Sequence, residues 1–278
     1  MTAISILNRP LRIAFCISGQ IRDEEISFSE IKKEAERLGA EVFVSVWLRR
    51  GAKTGGIVNW EQAGRMFGGE LALALPSFLT SDRAFDLAIP EFEQRVLEDF
   101  SDVDESTIRK YFDRATIDIE AEEFNLDFGD DGITDKHSLR MLYKVWRCNM
   151  LKRSFERRSG QQFDVVVRMR PDVVPLLDEK ALASVLSADH ANSIFIPSAH
   201  QNQNWLMDAL AVSTSPVADH YAALFGKALQ HPVRPWKMIH HELAQHLGEA
   251  GIEFHSIGIR RWMQEDFLRR QRNYPPPF

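Results

Sequence analysis

The chain has only two cysteines in 278 residues, Cys16 and Cys148, too few and too far apart for a metal-type spacing. Both lie in apolar surroundings, one in a predicted strand and one in a predicted helix. They read as buried thiols of a reducing compartment. No run approaches the roughly 20 apolar residues of a membrane-spanning helix. There is no basic excess either: 34 Lys and Arg stand against 40 Asp and Glu, for a net charge of −6 and a pI near 5.9. That balance argues against a protein built mainly to bind nucleic acid. The opening "MTAISILNRPLRIAFCISG" lacks a basic leader followed by a small-residue cleavage site, so the sequence predicts a cytoplasmic protein that is not exported. The acidic run "DFGDDGITD" (127–135) lacks the full calcium-loop pattern and reads as a solvated loop. "HHELAQH" (240–246) lacks the H-E-x-x-H spacing of zinc enzymes. No internal repeat and no linker is visible.

What is present is an alternation of strands and helices. The 44% of apolar residues can fill one sizeable core or two modest ones. "LRIAFCISG" (11–19) is a buried strand closed by Ser18-Gly19. Residues 27–38 follow as a helix, with Ser27 as N-cap and Glu30 three residues later, and Gly39 stops it. "EVFVSVW" (41–47) completes a strand–helix–strand unit with a parallel pair. Helices are expected at 90–100 and 105–112, and a long one at 138–159, ended by Gly160. In the long helix Leu142, Trp146 and Met150 should pack across the sheet. A strand follows over 163–174, then a helix from about 178 and strands at 193–198 and 208–214. A helix begins at Pro216, another spans 240–251, and the last strand is 252–259. The expected fold is one Rossmann-like α/β domain over 1–265, a mostly parallel sheet covered by helices on both faces. It carries a helical insertion around 51–136 and an extended Pro-rich tail over 266–278.

The strand "FDVVVRMRPDVVP" (163–175) breaks from apolar residues into Arg168, Arg170 and Asp172, which alternation puts on one face. Ligands of open α/β sheets sit beyond the carboxyl ends of the strands, where these charges lie. Guanidinium groups suit phosphate, and a carboxylate beside them suits a divalent cation, so a metal-bound pyrophosphate would satisfy all three. The other reading is structural: one arginine simply pairs with Asp172 or Asp164.

Three stretches, "IAFCISGQIR", "YKVWRCNMLKRSFERRSGQQFDVVVRMRPDVV" and "DALAVSTSPVADHYAALF", occur in that order. Together they resemble bacterial glycosyltransferases of capsule and lipopolysaccharide gene clusters, the WavE-like branch, with a nucleotide-diphospho-sugar transferase (GT-A) fold. The resemblance covers roughly the first 50 residues and 137–260. It implies a nucleotide-side loop of Ser18, Gly19 and Arg22, and a Lys144 directed at the diphosphate. It also implies a donor site at Arg168, Arg170 and Asp172. Where better-known GT-A enzymes carry a D-x-D metal motif, Arg170 takes the place of the first acid and Asp172 alone remains as a metal ligand. A manganese or magnesium ion is therefore implied with fewer acids than usual, and arginine is left to do part of its work.

The resemblance further marks Asp208 and Glu242 as candidates for the base that deprotonates an acceptor, and Trp205 as a ring that can stack on sugar. Asp208 and Trp205 each have a plainer reading, as a turn acid and a core tryptophan. The implied reaction moves a sugar from a nucleotide diphosphate to a hydroxyl on a glycan or lipid-linked acceptor. The alternatives are a non-catalytic nucleotide-sugar-binding protein and a nucleotidyltransferase. The basic residues of 140–158 and "IRRWMQEDFLRRQR" (259–272) can meet anionic headgroups peripherally, or form solvated faces and inner charge pairs.

Overall fold

The computed structural model describes residues 9–21, 24–50, 102–121, 136–175, 177–197, 206–230 and 239–262. The expected loop at 51–69, the helix at 90–100, the acidic loop at 127–135, Arg22, Trp205 and the Pro-rich tail lie outside them.

Two wholly buried apolar strands, β1 (Ile13–Gly19) and β4 (Val165–Met169), form the middle of the sheet. They pair in parallel from Ile13↔Val165 to Ile17↔Met169. Outward from β1 lie β2 (Glu41–Trp47) and β3 (Thr116–Glu120), both parallel to it. Outward from β4 come β7 (Leu210–Ser213), β6 (Ser193–Pro197) and β8 (Glu253–Ile257). The order is β3-β2-β1-β4-β7-β6-β8, and β7 alone runs against the others. The sheet is therefore mostly parallel and mixed, as expected.

Alternation along the strands separates the two faces. Ile13, Phe15, Ile17, Val165, Val167 and Met169 meet Phe28, Ile31, Ala35 and Leu38 of α1 (Glu24–Leu38). Ala14, Cys16 and Val166 turn to the opposite face, beneath α3 (Lys136–Ser159) and α5 (Ser215–Gln230). α6 (Ile239–Glu249) packs on α5 through Leu243, Ala244 and Leu247. Two shorter helices, α2 (Glu105–Arg109) and α4 (Glu179–Val185), are capped by Asp104 and Asp178, whose carboxylates accept from the third backbone N–H beyond them.

Several expectations change. α1 begins at Glu24, not beyond Ser27. Glu24 and Glu25 in its first turn suit the positive end of the helix dipole, and Ser27 is buried within the helix. Residues 102–121, expected within a helical insertion, supply α2 and the edge strand β3 of the main sheet.

The single strand expected over 163–174 is two. Val173 N–H donates to the Arg170 carbonyl (3.2 Å), closing a turn with Pro171 at its second position, where a fixed φ is favourable. The segment over 252–259 divides likewise after Ile257. The freed halves, β5 (Val173–Pro175) and β9 (Ile259–Trp262), pair antiparallel as a small second sheet.

In α3, Leu142 is fully buried, but Trp146 and Met150 are half-buried, and Trp146 packs on Phe225 of α5. The buried stripe is instead Leu139, Leu142, Val145 and Cys148, continued by Lys152, whose charge is met by carboxylates. Among the described residues no helix is long and apolar enough to cross a membrane.

Candidate functional site

The chain leaves β1 toward β2 on one side, whereas β4 lies on the other, so the strand order switches direction at the carboxyl ends of these two strands, where open α/β sheets hold their ligands. Ser18 and Gly19 close β1 there. Gly19 has φ +123°, a conformation open to glycine at little cost, and a Cβ on it would lie 3.7 Å from Cδ of Pro171. The loop after β1 and the turn after β4 therefore touch, although about 150 residues separate them in sequence.

Beyond β4, Arg170 and Asp172 form a two-pronged ion pair, Nε to Oδ1 at 2.9 Å and Nη2 to Oδ2 at 2.7 Å. Burial works against the Arg170 charge, but Asp172 and then Asp208 outweigh it and raise its pKa above the ordinary value. Asp208 reaches this edge because β7 runs in reverse, so the residues that precede it lie beside the end of β4. Arg170 N–H donates to the Ala209 carbonyl at 2.9 Å. The start of α6 closes the far side. His240 Nδ1 donates to the Leu206 carbonyl at 2.7 Å and lies 4.0 Å from Oδ1 of Asp208, while Leu206 N–H donates to the His240 carbonyl at 3.2 Å. Glu242, in the first turn of the same helix, is buried. Ser18, Gly19, Arg170, Asp172 and Asp208 thus share one edge, with His240 at the start of α6 beside Asp208.

Two of the expected donor residues lie elsewhere. The Lys144 ammonium is fully buried, 2.8 Å from Glu120 and 3.5 Å from Asp118, and 4.4 Å above the Trp47 ring. Its charge belongs to a cluster at the ends of β2 and β3. There Arg147 binds Asp118 at 2.5 Å, and Ser45 Oγ donates to Asp118 at 2.7 Å. Burial opposes ionisation of Asp118, yet Arg147, Ser45 and Lys144 together hold its carboxyl below the ordinary range. Burial and Glu120 push the Tyr143 hydroxyl up to about 12.

Arg168 points into the interior, away from the Arg170–Asp172 pair. Its guanidinium lies over the Tyr221 ring at 5.8 Å, and Nη1 is 3.5 Å from the Tyr221 hydroxyl. The three charges of "RMRPD" therefore do not enter one pocket. The turn at Pro171 and the Arg170–Asp172 pair draw two of them to the edge and leave the first inside.

Asp172 uses both carboxylate oxygens on Arg170. Among the described residues no group of three or more His, Cys, Asp or Glu is placed to hold a metal ion. Magnesium and manganese want several oxygen ligands, so this donor set does not fit a divalent cation.

The sequence reading passed over β3, although "TIDIE" alternates as a half-buried strand should. Tyr221 carries no sequence signal, His240 figures in the sequence only as a zinc-ligand candidate, and the sequence does not identify the partners of the buried network under α3. Lys152 there meets Glu156 at 3.2 Å, Asp219 at 3.0 Å and the Ser215 hydroxyl, and Ser215 Oγ donates to Glu156 at 2.7 Å. The i,i+4 spacing of Lys152 and Glu156 was its one sequence signal. No protein-family model matches the chain, and no curated protein matches it.

Proposed function

We propose that the chain is a glycosyltransferase of GT-A type that moves a sugar from a nucleotide-diphosphate donor to a hydroxyl of a glycan or lipid-linked acceptor. The observation that carries the reading is the convergence of the β1 loop, the Arg170–Asp172 turn and Asp208 at the edge where β1 and β4 diverge. That is where α/β sheets bind nucleotides, and it unites segments on which the family resemblance also rests.

In this reading the β1 loop at Ser18-Gly19 presents its backbone N–H groups to the donor, and the positive φ of Gly19 sets their direction. The Arg170 guanidinium at the end of β4 opposes the charge that grows on the leaving diphosphate. Asp208 takes the acceptor proton, and Glu242 is the second candidate for that role. No step is assigned to a metal.

The test is release of nucleoside diphosphate from a panel of nucleotide sugars, by wild type and by Asp208→Asn and Glu242→Gln. One sugar nucleotide should be turned over, and loss of the base should lower the rate about 10²–10⁴-fold with donor binding kept. Failure of wild type to turn over any member of the panel would remove the reading. The closed Arg170–Asp172 pair favours a second reading, a protein on the same fold that binds a nucleotide sugar without reacting it. Tight binding with no turnover would select it.

A further inference from the structure

Arg168 is 4% exposed, yet among the described residues no carboxylate lies within ion-pair distance of it. Its Nε and Nη2 are buried and have no hydrogen-bond partner there, and its one contact, to the Tyr221 hydroxyl, is long at 3.5 Å. They face a cavity of about 10 Å³ between β4, β7, α3 and α5, which Cys16, Asn149, Ser213 and Tyr221 help to line. That is room for about one water molecule. Asn149 Oδ1 is also buried without a partner, so one water can accept from Arg168 and donate to Asn149. A water satisfies the N–H groups but leaves the positive charge uncancelled.

The neighbouring charges behave differently. Arg170 is matched by Asp172, Lys144 by Glu120 and Asp118, and Lys152 by Glu156 and Asp219. An uncompensated charge in the interior costs stability. Its field is weakly screened and reaches the strand end, two residues and roughly 7 Å further along β4.

We infer that Arg168, not the more exposed Arg170, supplies the positive charge that draws a diphosphate to this edge against the Asp208 carboxylate, and that the fold keeps it there at a cost in stability. The inference rests on the proposed donor site, but it concerns the anion alone. It makes Arg168 a positioning residue that acts through its field, without touching the ligand.

The experiment measures binding of inorganic pyrophosphate and the melting temperature for wild type, Arg168→Met and Arg168→Lys. Arg168→Met should bind pyrophosphate roughly 10-fold more weakly. It should also melt higher, by about 2–4 °C, because an apolar side chain of similar length replaces a charge without a partner. Arg168→Lys should bind within about 3-fold of wild type, since it keeps the charge. Opposite signs for binding and stability are the signature, because a merely structural arginine would lower both. Undiminished pyrophosphate binding by Arg168→Met would overturn the inference, as would its melting lower or failing to fold, or no pyrophosphate binding by wild type. The two proposals fail separately. If nucleoside diphosphates bind Arg168→Met and wild type alike, the donor site stands and this inference falls. If pyrophosphate binding depends on Arg168 but no nucleotide sugar is turned over, this inference stands and the transferase reading falls.

Discussion

The two faces of the central sheet are held by different physics. Under α1 the contacts are apolar: Phe15, Ile17, Val167 and Met169 meet Phe28 and Ile31, all at or near zero exposure. Under α3 and α5 the packing includes Lys144, Lys152, Glu156 and Arg168, charged groups that bury only at a cost. The first face needs mainly size and shape, with the buried Glu34 of α1 paired to Arg37 of the same helix. The second needs each charge to find its opposite, and all but Arg168 do so among the described residues. A sheet that already has one dry face gains no obvious stability from charges on the other. Lys144 and Arg168 lie toward the carboxyl ends of β2, β3 and β4, whereas Lys152 and Glu156 lie at the opposite edge of the sheet, where Glu156 accepts from Phe163 N–H just before β4.

Lys152→Met tests that contrast most severely. It leaves Glu156 without its cation and Asp219 with only Arg153 at 3.7 Å, and Glu156 also holds Ser215 Oγ and the Phe163 N–H. Urea unfolding should show a loss of about 3–5 kcal/mol, with part regained in Lys152→Met/Glu156→Gln. A neutral single mutant would mean that the charged face is not held by compensation.

Asp172→Asn is the intermediate case. Arg170 keeps some solvent contact at 20% side-chain exposure, so losing a charge-assisted pair should cost only ~2 kcal/mol. If the loss is larger and diphosphate binding is unchanged, Asp172 is a fold residue and not part of the donor site.

The smallest effect concerns His246 of α6, whose ring stacks on His220 of α5 with centroids 4.3 Å apart and planes 4° apart. Its Nε2–H donates to the His220 carbonyl at 2.9 Å. Burial, the nearby His220 and Lys227 lower its pKa below the ordinary 6.5, while the His220 carbonyl and Glu249 oppose them. The unfolded chain therefore binds a proton at higher pH than the folded one. This contribution to stability is complete above about 6.5 and declines as pH falls below it. Melting curves from pH 7.5 to 5 should steepen this decline in wild type relative to His246→Gln. Identical profiles would exclude a part for this residue.

The apolar face was the more legible in sequence. β1, β2 and β4 are continuous apolar runs, and α3 shows its helical period, so their types followed from pattern. Gly39, Gly160 and Gly251 mark helix ends with φ between +62° and +68°. The charged face was less legible because pairing depends on residues far apart in sequence. Nothing near Lys144 announces Asp118, and only the place of β3 at the sheet edge brings them together. Reversal of β7 is also silent in sequence, yet it brings Asp208 beside the carboxyl end of β4. In "RMRPD" the alternation rule failed for a local reason. Pro171 ends the extended chain, so Asp172 folds back onto Arg170 instead of lining up with Arg168.

The most direct measurement is the melting temperature of wild type with nucleoside diphosphates, each set beside its own nucleoside. One diphosphate at 100 times its dissociation constant should stabilise the chain by about 2.7 kcal/mol, a rise of roughly 5–10 °C, with the nucleoside giving little. A rise no larger for any diphosphate than for its nucleoside would contradict a donor site at the ends of β1 and β4.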